Sequence, residues 1–201
     1  MVGVSVIVPV KPPEPYLPTL KKRIQHALCG TPYEILVQTE KGLAYAVKCG
    51  VEKAKFPVVA VLDADGSHPP EELPSMIRKL REGFDVVVGS RYVEGGESRD
   101  SFFRRFVSKC FCWLSREMLG LKVRDPMSGF VVARKPVFKE SLKYCVGFKF
   151  TLEVLSNPKY RVYEHPIVFE KRKAGNPKSN VKVGFQTLWL IFKLWWRRRT
   201  S

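Results

Sequence analysis

Short apolar runs alternate with amphipathic stretches along the first half of the chain. Near-continuous apolar or β-branched runs at residues 4–10, 34–37, 58–62 and 85–89 predict strands that are buried on both faces. Between them, apolar residues recur at helical spacing in residues 17–28, 42–54 and 73–80. This alternation of strand and helix predicts an α/β fold with a mainly parallel sheet.

The pattern changes after Tyr92. A polar loop with two glycines at residues 94–99 precedes a long amphipathic helix that is predicted over residues 102–119. Later strands are predicted at residues 128–133 and 160–168, with a short helix at 151–155 between them. Ser67 is in a position to cap the third helix, which Gly83 ends.

A last apolar segment, residues 183–196, precedes Arg197, Arg198 and Arg199. As a helix it is about 21 Å long, shorter than the roughly 30 Å hydrocarbon core of a bilayer. Its tryptophans, phenylalanines and basic edge are typical of a helix that lies in a membrane interface. A helix packed on the domain, or one that pairs with a second segment in an oligomer, explains the same pattern.

Composition indicates a globular protein. The chain has 201 residues, of which 45% are hydrophobic and 27% charged, enough for one domain with a sizeable core. Five cysteines at irregular spacing are expected to be reduced, as in a cytosolic protein. The N-terminal apolar run lacks a preceding charged region, so we expect a strand there and no secretory signal.

The charge is strongly basic and unevenly placed. Formal net charge is +16, and residues 171–201 hold nine Lys or Arg and no Asp or Glu. This balance implies an anionic partner, which could be a phosphate compound, nucleic acid or an anionic membrane surface.

Two aspartates, Asp63 and Asp65, follow the third predicted strand with Ala64 between them. Open α/β sheets bind ligands at the carboxyl ends of their strands. Carboxylate oxygens suit Mg²⁺ or Mn²⁺, which neutralise a departing diphosphate. The alternative is that the two carboxylates only cap the helix that follows.

Several motifs occur in a fixed order around these aspartates. They are VIVP at residues 6–9, VLDADGSHPPE at 61–71, VGSRY at 88–92, DPMSGF at 125–130, GFK at 147–149 and FEKRKAG at 169–175. In this order they resemble glycosyltransferase family 2, most closely its polyprenyl-phosphate (dolichyl-phosphate) mannosyltransferases. The resemblance covers nearly the whole chain, to about Lys178.

The resemblance implies a GT-A fold and a metal-dependent enzyme. The catalytic domain is expected at residues 1–178, followed by a basic and aromatic segment at 179–201. In the family the first aspartate helps to hold nucleotide and metal and the second ligates the metal, roles that match Asp63 and Asp65. Ser67 stands where the family usually has a third ligand, Gln. The expected cofactor is Mg²⁺ or Mn²⁺.

The resemblance also implies the remaining site residues. Nucleotide-sugar contacts are expected from Pro9, Val10, Glu14, Gly42, Asp63, Ala64 and Asp65. Contacts to acceptor and donor phosphates are expected from Arg91, Arg104, Ser108, Arg172 and Lys178. Asp65 and Arg91 are candidate catalytic residues. Asp125 is a third, as a carboxylate near the acceptor, and its alternative role is that of a turn residue before Pro126.

Charge and spacing agree with these roles. Arg104 and Ser108 are four residues apart, so they face the same side of one helix. Several phosphates in one cleft repel each other and require fixed cations. A phosphate monoester is ionised at neutral pH, so it can attack the anomeric carbon without a general base, and one in-line displacement inverts the configuration.

The sequence departs from the family near the nucleoside. KPPE at residues 11–14 replaces the usual Asn-Glu, and the second predicted strand runs quickly through Gln38, Thr39 and Glu40 to Gly42. GDP-mannose is the preferred donor, and a UDP-sugar donor (glucose or N-acetylglucosamine) is the alternative.

A third hypothesis is a non-catalytic basic module that binds membranes or nucleic acid. We prefer the transferase, peripheral on the cytoplasmic face of the membrane and without a nucleic-acid partner. A second copy of the chain or a separate membrane subunit is a further candidate partner. Zinc-site histidine spacing, a P-loop and a hydrolase nucleophile elbow do not occur in the sequence.

Overall fold

The computed structural model of the protein describes residues 2–40, 42–142, 149–173 and 181–200. The strands are β1 (Val4–Pro9), β2 (Tyr33–Gln38), β3 (Val58–Val61), β4 (Val86–Ser90), β5 (Glu97–Ser98), β6 (Val131–Arg134), β7 (Val162–Pro166) and β8 (Val168–Phe169). The helices are α1 (Leu17–Ala27), α2 (Leu43–Lys53), α3 (Leu73–Arg81), α4 (Phe102–Leu119), α5 (Lys135–Ser141), α6 (Phe150–Leu155) and α7 (Val181–Thr200).

Six strands form the central sheet in the order β2-β1-β3-β6-β4-β7. β1 pairs in parallel with β2 and β3, and β4 pairs in parallel with β7. β6 is antiparallel to both of its neighbours, β3 and β4. The predicted α/β fold with a mainly parallel sheet is therefore confirmed, and one reversed strand is inserted at its centre.

Helices cover both faces of this sheet. Side chains alternate along each strand, so Ile7 points to one face while Val6 and Val8 point to the other. The first face packs against α2, α4, α5, α6 and α7, and the second against α1 and α3. The run of apolar residues in each strand is thus explained by burial on both sides.

Helix α2 lies very close to β1 because Gly50 has no side chain. A Cβ atom at Gly50 would come within 2.7 Å of Cγ2 of Ile7. Glycine lowers helix propensity. It stands at position 50 because a larger side chain would prevent this close approach of α2 to β1.

The Ser67 cap was predicted wrongly. A 3₁₀ turn, Pro70–Glu72, separates Ser67 from α3, and α3 has no side-chain cap. The Ser67 hydroxyl instead donates a hydrogen bond to Oδ1 of Asp65 at 2.6 Å. Helix α5 had no sequence-based prediction. Strand β5 lies inside the predicted loop at 94–99, and the strand predicted at 160–168 is divided into β7 and β8.

The C-terminal helix α7 packs along the domain and also presents an open face. Leu190, Ile191 and Leu194 are buried in the core shared with α4. On the other side Trp189, Phe192 and Trp196 are more than half exposed. Among the helices in the described ranges, none combines the length and apolar character needed to span a bilayer.

Candidate active site at the strand carboxyl ends

Five of the predicted site residues converge beside the carboxyl ends of β3 and β4. Asp63 follows β3 and Arg91 follows β4, and both line a cavity of about 690 Å³. Helix α4 contributes Arg104 and Ser108 to the same wall, and the segment after β8 contributes Arg172. One carboxylate and several groups suited to phosphate therefore face one space.

The backbone of Asp63 is held by a buried histidine. His68 is 1% exposed, and its Nδ1 accepts a hydrogen bond from the Asp63 N–H at 3.0 Å. Its ring lies against those of Phe130 and Phe169. Burial in this apolar setting lowers the pKa of His68. The ring is therefore neutral with its proton on Nε2, the tautomer that can accept from the backbone.

Asp65 is turned away from the solvent and is already paired. Its Oδ1 accepts from both the N–H and the hydroxyl of Ser67, and its Oδ2 lies 3.2 Å from Nε of Arg172. The backbone N–H groups of Lys173 and Glu170 donate to the carbonyls of Asp65 and Ser67. These contacts fasten the segment after β8 onto the aspartate loop and bring Arg172 to the cavity.

Arg91 forms a bidentate ion pair with Asp125. Nε and Nη2 of Arg91 donate to Oδ2 and Oδ1 of Asp125, each at 2.7 Å, and the Arg91 backbone N–H donates to Oδ2 at 3.0 Å. Burial opposes the charged guanidinium, but Asp125 outweighs it and the pKa of Arg91 lies above its ordinary value. Nη2 also donates to the Ser108 hydroxyl at 3.1 Å. The arginine is thus a fixed cation on the cavity wall.

Asp125 lies behind this arginine. Its side chain is 0% exposed, and the cavity wall does not include it. Glu164 on β7 holds the loop in place, because its carboxylate accepts from the backbone N–H groups of Arg124 and Asp125 at 2.8 and 2.9 Å. Asp125 therefore supports Arg91 from behind and does not face the cavity.

Two further cations face the cavity. Arg104 is more exposed than Arg91 and lies 3.6 Å from Oδ1 of Asp100. Lys149, just before α6, donates from Nζ to the Met127 carbonyl at 3.3 Å. Burial, followed by the charge of Arg91, lowers the pKa of Lys149. An anion in the cavity would relieve the repulsion between these cations.

Much of the cavity wall is apolar. Aromatic rings come from α4, α6, β8 and α7, and aliphatic side chains come from α4 and α7. These residues are Phe103, Val107, Phe111, Phe150, Phe169, Phe185 and Leu188. A ligand that joins an anionic group to an apolar chain suits such a wall.

Three of the predicted nucleoside contacts do not line this cavity, although Leu43, next to Gly42, does. Pro9 ends β1, Val10 follows it and Gly42 precedes α2 with φ +97°, yet none of them lines the cavity wall. Oε1 of Glu14 and Oε2 of Glu40 are buried without a hydrogen-bond partner within the described part of the chain. Carboxylates only accept hydrogen bonds, so hydroxyl or N–H groups of a nucleoside would satisfy them.

Asp63 and Asp65 fit a hard divalent cation by the chemistry of their oxygens. Mg²⁺ commonly binds one or two carboxylates and completes its shell with phosphate oxygens and water. Asp63 faces the cavity, and Oδ2 of Asp65 already attracts a positive group, Arg172. Ser67 is 0% exposed and directed at Asp65. Within the described ranges no group of three His, Cys, Asp or Glu could hold a metal by itself.

Sequence reasoning missed four residues near the site. Lys149 and His68 stand inside quoted motifs, GFK and VLDADGSHPPE, so their motif context was the available signal. Glu40 follows the second strand, where acidic residues contact ribose in nucleotide-binding folds. Glu164 had no local signal, because its partners lie about 40 residues earlier. Lys178 and residues 147–148 lie outside the described residues.

Sequence comparison gives the family of the chain. The profile of Glycosyl transferase family 2 matches residues 21–142. A dolichol-phosphate mannosyltransferase of Pyrococcus furiosus is 35% identical over 222 residues, covering 95% of this chain and 63% of that protein. A polyprenol monophosphomannose synthase of Mycolicibacterium smegmatis is 34% identical over 74% of this chain and 61% of that protein. The chain thus spans less than two thirds of these relatives.

Structural comparison gives the fold. Glucosyl-3-phosphoglycerate synthase from Mycobacterium tuberculosis, in complex with Mn²⁺, UDP and phosphoglyceric acid, aligns with a TM-score of 0.72 at 14% identity. The alignment covers 96% of this chain and 78% of that one. The same enzyme with Mg²⁺ and UDP aligns with a TM-score of 0.68. The chain therefore has the GT-A fold that the motifs implied.

Proposed function

The chain belongs to glycosyltransferase family 2, and we propose that it transfers a sugar from a nucleotide-sugar to a polyprenyl or dolichyl phosphate. GDP-mannose is the preferred donor and mannose the sugar transferred, and the transfer inverts the configuration of the anomeric carbon. The dolichol-phosphate and polyprenol relatives support the acceptor class.

One observation carries the proposal: a single cavity joins a carboxylate, fixed cations and an apolar wall. Asp63 lies at one part of the wall, and Arg91, Arg104 and Arg172 supply positive charge. Aromatic side chains of α4, α6, β8 and α7 form much of the apolar part of the wall. A lipid phosphate has this combination of a charged head and an apolar chain.

The side chains suggest a division of labour. Arg91, Arg104 and Ser108 bind the acceptor phosphate, whose oxygen is already ionised and attacks the anomeric carbon while the diphosphate leaves. Asp63 and Asp65 would hold Mg²⁺ or Mn²⁺, which when bound would neutralise charge on the diphosphate. Arg172 is close enough to Asp65 to contact the same phosphates. Catalysis is then mainly positioning and charge neutralisation.

The direct test is transfer of radiolabelled mannose from GDP-mannose to dolichyl phosphate with Mn²⁺ or Mg²⁺. Asp65→Asn should reduce the rate by about a hundredfold or more and keep the fold, because the amide oxygen can still accept from Ser67. Glu52→Gln, an exposed carboxylate on α2, is the matched control and should keep the wild-type rate. Absence of a lipid-linked product with every common nucleotide-sugar would reject the proposal.

The donor base is decided by a binding experiment. GDP with Mn²⁺ should raise the unfolding temperature more than UDP with Mn²⁺, because a ligand that binds only the native state stabilises it. The UDP bound by the structural neighbour motivates the comparison. A larger shift with UDP would favour a glucose or N-acetylglucosamine donor.

Attachment to the cytoplasmic face of a membrane is the second part of the proposal. Its support is the open face of α4 and α7, where Phe106, Trp113, Trp189 and Trp196 are more than half exposed. Trp189→Ala should weaken co-sedimentation with phosphatidylglycerol vesicles several-fold, since aromatic residues anchor interfacial helices. The control variant is Tyr45→Ala, which removes a similarly exposed aromatic side chain from α2. Equal loss in both variants would argue against this face as the membrane contact.

A further inference from the structure

A second pocket lies on the other side of Arg91 from the active-site cavity. It has a volume of about 430 Å³ and opens beside α4. Lys109, Trp113 and Arg116 of α4 line it, together with Tyr92 and Arg124. Arg91 is part of both walls. Apart from Arg91 and Trp113, the residues of its wall have no role in the functions proposed above.

Three cations of this pocket have no ionic partner among the residues that the structure describes. No carboxylate within the described ranges lies within ion-pair distance of Lys109, Arg116 or Arg124, and the described pocket wall contains no Asp or Glu. Nε of Arg116 is buried and has no hydrogen-bond partner among the described residues. A buried donor without a partner is unfavourable, so binding of an anion that accepts from Arg116 would be favoured.

The ring of Tyr92 orders the cations around this pocket. The Arg91 guanidinium carbon lies 4.9 Å from the ring centroid, and Nζ of Lys109 lies 5.7 Å from it. Both distances are typical of cation–π contacts. The Tyr92 ring therefore holds two of the pocket's positive charges, Arg91 and Lys109, close to each other.

The spacing along α4 connects this pocket to the exposed aromatic face. Phe102, Phe106, Lys109, Trp113 and Arg116 follow one another at intervals of four, three, four and three residues, so they share one side of the helix. Phe102 is 78% exposed, Phe106 58% and Trp113 62%. If these rings enter a membrane interface, the two basic side chains reach the layer of phosphate headgroups.

We propose that this second pocket binds the phosphate of an anionic phospholipid headgroup, separately from the acceptor phosphate in the first cavity. The ligand class follows from the donors, because arginine pairs with phosphate in a bidentate geometry and lysine adds a point charge. The lipid source follows from the aromatic side chains on the same helical face. The proposal rests on membrane attachment and on no step of sugar transfer.

The experiment compares vesicles that carry equal negative charge on different groups. Phosphatidylcholine vesicles contain either phosphatidylglycerol, a phosphate lipid, or oleate, a carboxylate lipid, adjusted to the same zeta potential. The wild-type chain should prefer phosphatidylglycerol by about tenfold in partition coefficient. Lys109→Gln/Arg116→Gln should lower the partition coefficient for phosphatidylglycerol vesicles more than the partition coefficient for oleate vesicles. The preference should therefore be lost.

The matched control removes the same charges elsewhere. Lys21→Gln/Arg81→Gln alters two exposed side chains on α1 and α3, and it should keep the preference. Inorganic phosphate, replacing chloride at constant ionic strength, should displace the wild-type chain from phosphatidylglycerol vesicles. The thermal shift with GDP and Mn²⁺ should be unchanged in both double variants, which separates this pocket from the active site.

Three outcomes would overturn the proposal. Equal binding to the two vesicle types would show general attraction of a basic protein to a charged surface. Equal loss of the preference in the control variant would show the same. Saturable binding of inorganic phosphate that depends on Arg116, without any vesicle preference, would assign the pocket to a soluble phosphate compound in place of a lipid.

Discussion

The ion pair with Asp125 holds the positive charge of Arg91 at one position on the cavity wall. Both carboxylate oxygens of Asp125 bind the guanidinium, and the carboxylate itself is fully buried. Removing one partner from a buried ion pair leaves the other charge without compensation, which is far more costly than breaking an exposed pair. The position of Arg91 on the cavity wall therefore depends on a buried residue that does not itself line the cavity.

Asp125→Asn should lower the free energy of unfolding by about 3–5 kcal/mol. The control is Asp100→Asn, whose partner Arg104 is 37% exposed and 3.6 Å away, and which should cost less than about 1 kcal/mol. Urea denaturation at neutral pH measures both. Similar losses in the two variants would contradict the structural role of Asp125.

A thiol near this ion pair should be unreactive. Burial, assisted by the charge of Asp125, raises the pKa of Cys112 to about 12. At pH 8 it is almost entirely protonated, and the thiolate is the form that reacts. We expect iodoacetamide to label the exposed Cys29 and Cys110 within minutes and to leave Cys112 unlabelled.

Peptide mass spectrometry checks this labelling site by site. The urea-unfolded chain is the control, because all of its thiols are accessible. Labelling of native Cys112 at the rate of Cys110 would show that its environment is open.

The distance between α2 and β1 is set by one glycine. Gly50→Ala gains about 1 kcal/mol in helix propensity, but its Cβ would overlap the side chain of Ile7. Overpacking of this kind costs about 1–3 kcal/mol. The net expectation is a destabilised protein, measured as a lower urea midpoint.

The double variant Ile7→Ala/Gly50→Ala tests the cause. It removes Cγ1, Cγ2 and Cδ1 of Ile7, the three atoms that the new methyl group would meet, so its loss should be smaller than the sum of the two single losses. Additive losses in the two single variants would mean that Ile7 is not the obstacle.

Helix α7 contributes to the fold on one face only. Ile191 is 0% exposed and the neighbouring Phe192 is 52% exposed. Ile191→Ala should cost about 2–5 kcal/mol of unfolding free energy, whereas Phe192→Ala should cost less than about 0.5 kcal/mol. Equal effects in thermal or urea unfolding would mean that α7 does not pack as described.

The formal net charge of the whole chain is +16, so the chain should attract any polyanion non-specifically. A test of function has to separate this attraction from specific binding. Binding of this chain to duplex DNA should be weak and should decline by about a hundredfold or more between roughly 50 and 200 mM salt. Nucleotide binding with Mn²⁺ should persist over that range, because buried contacts are screened less. Fluorescence anisotropy with labelled DNA measures the first and calorimetry the second. DNA binding that persists at high salt would instead favour the hypothesis of a non-catalytic basic module.

Local patterns predicted the elements well and their arrangement less well. The apolar strands and the long helix at residues 102–119 agree with the structure because periodicity depends on neighbouring residues. Ser67 was misassigned because capping depends on where the helix begins, and the 3₁₀ turn shifted that point. The reversed β6 had no local signal, since strand direction depends on the path of the preceding chain.

The sequence by itself determined the class of fold, the family and the chemistry of the groups: aspartates after a buried strand and basic residues in ordered motifs. Tertiary structure decided which groups meet. Asp125 supports Arg91, which lies 34 residues earlier in the sequence. Arg172 pairs with Asp65 although the two are far apart in the sequence. Helix α7 contributes to the cavity wall. The physical reason is that periodicity and spacing act within a few residues, whereas burial and charge pairing arise only when distant segments pack together.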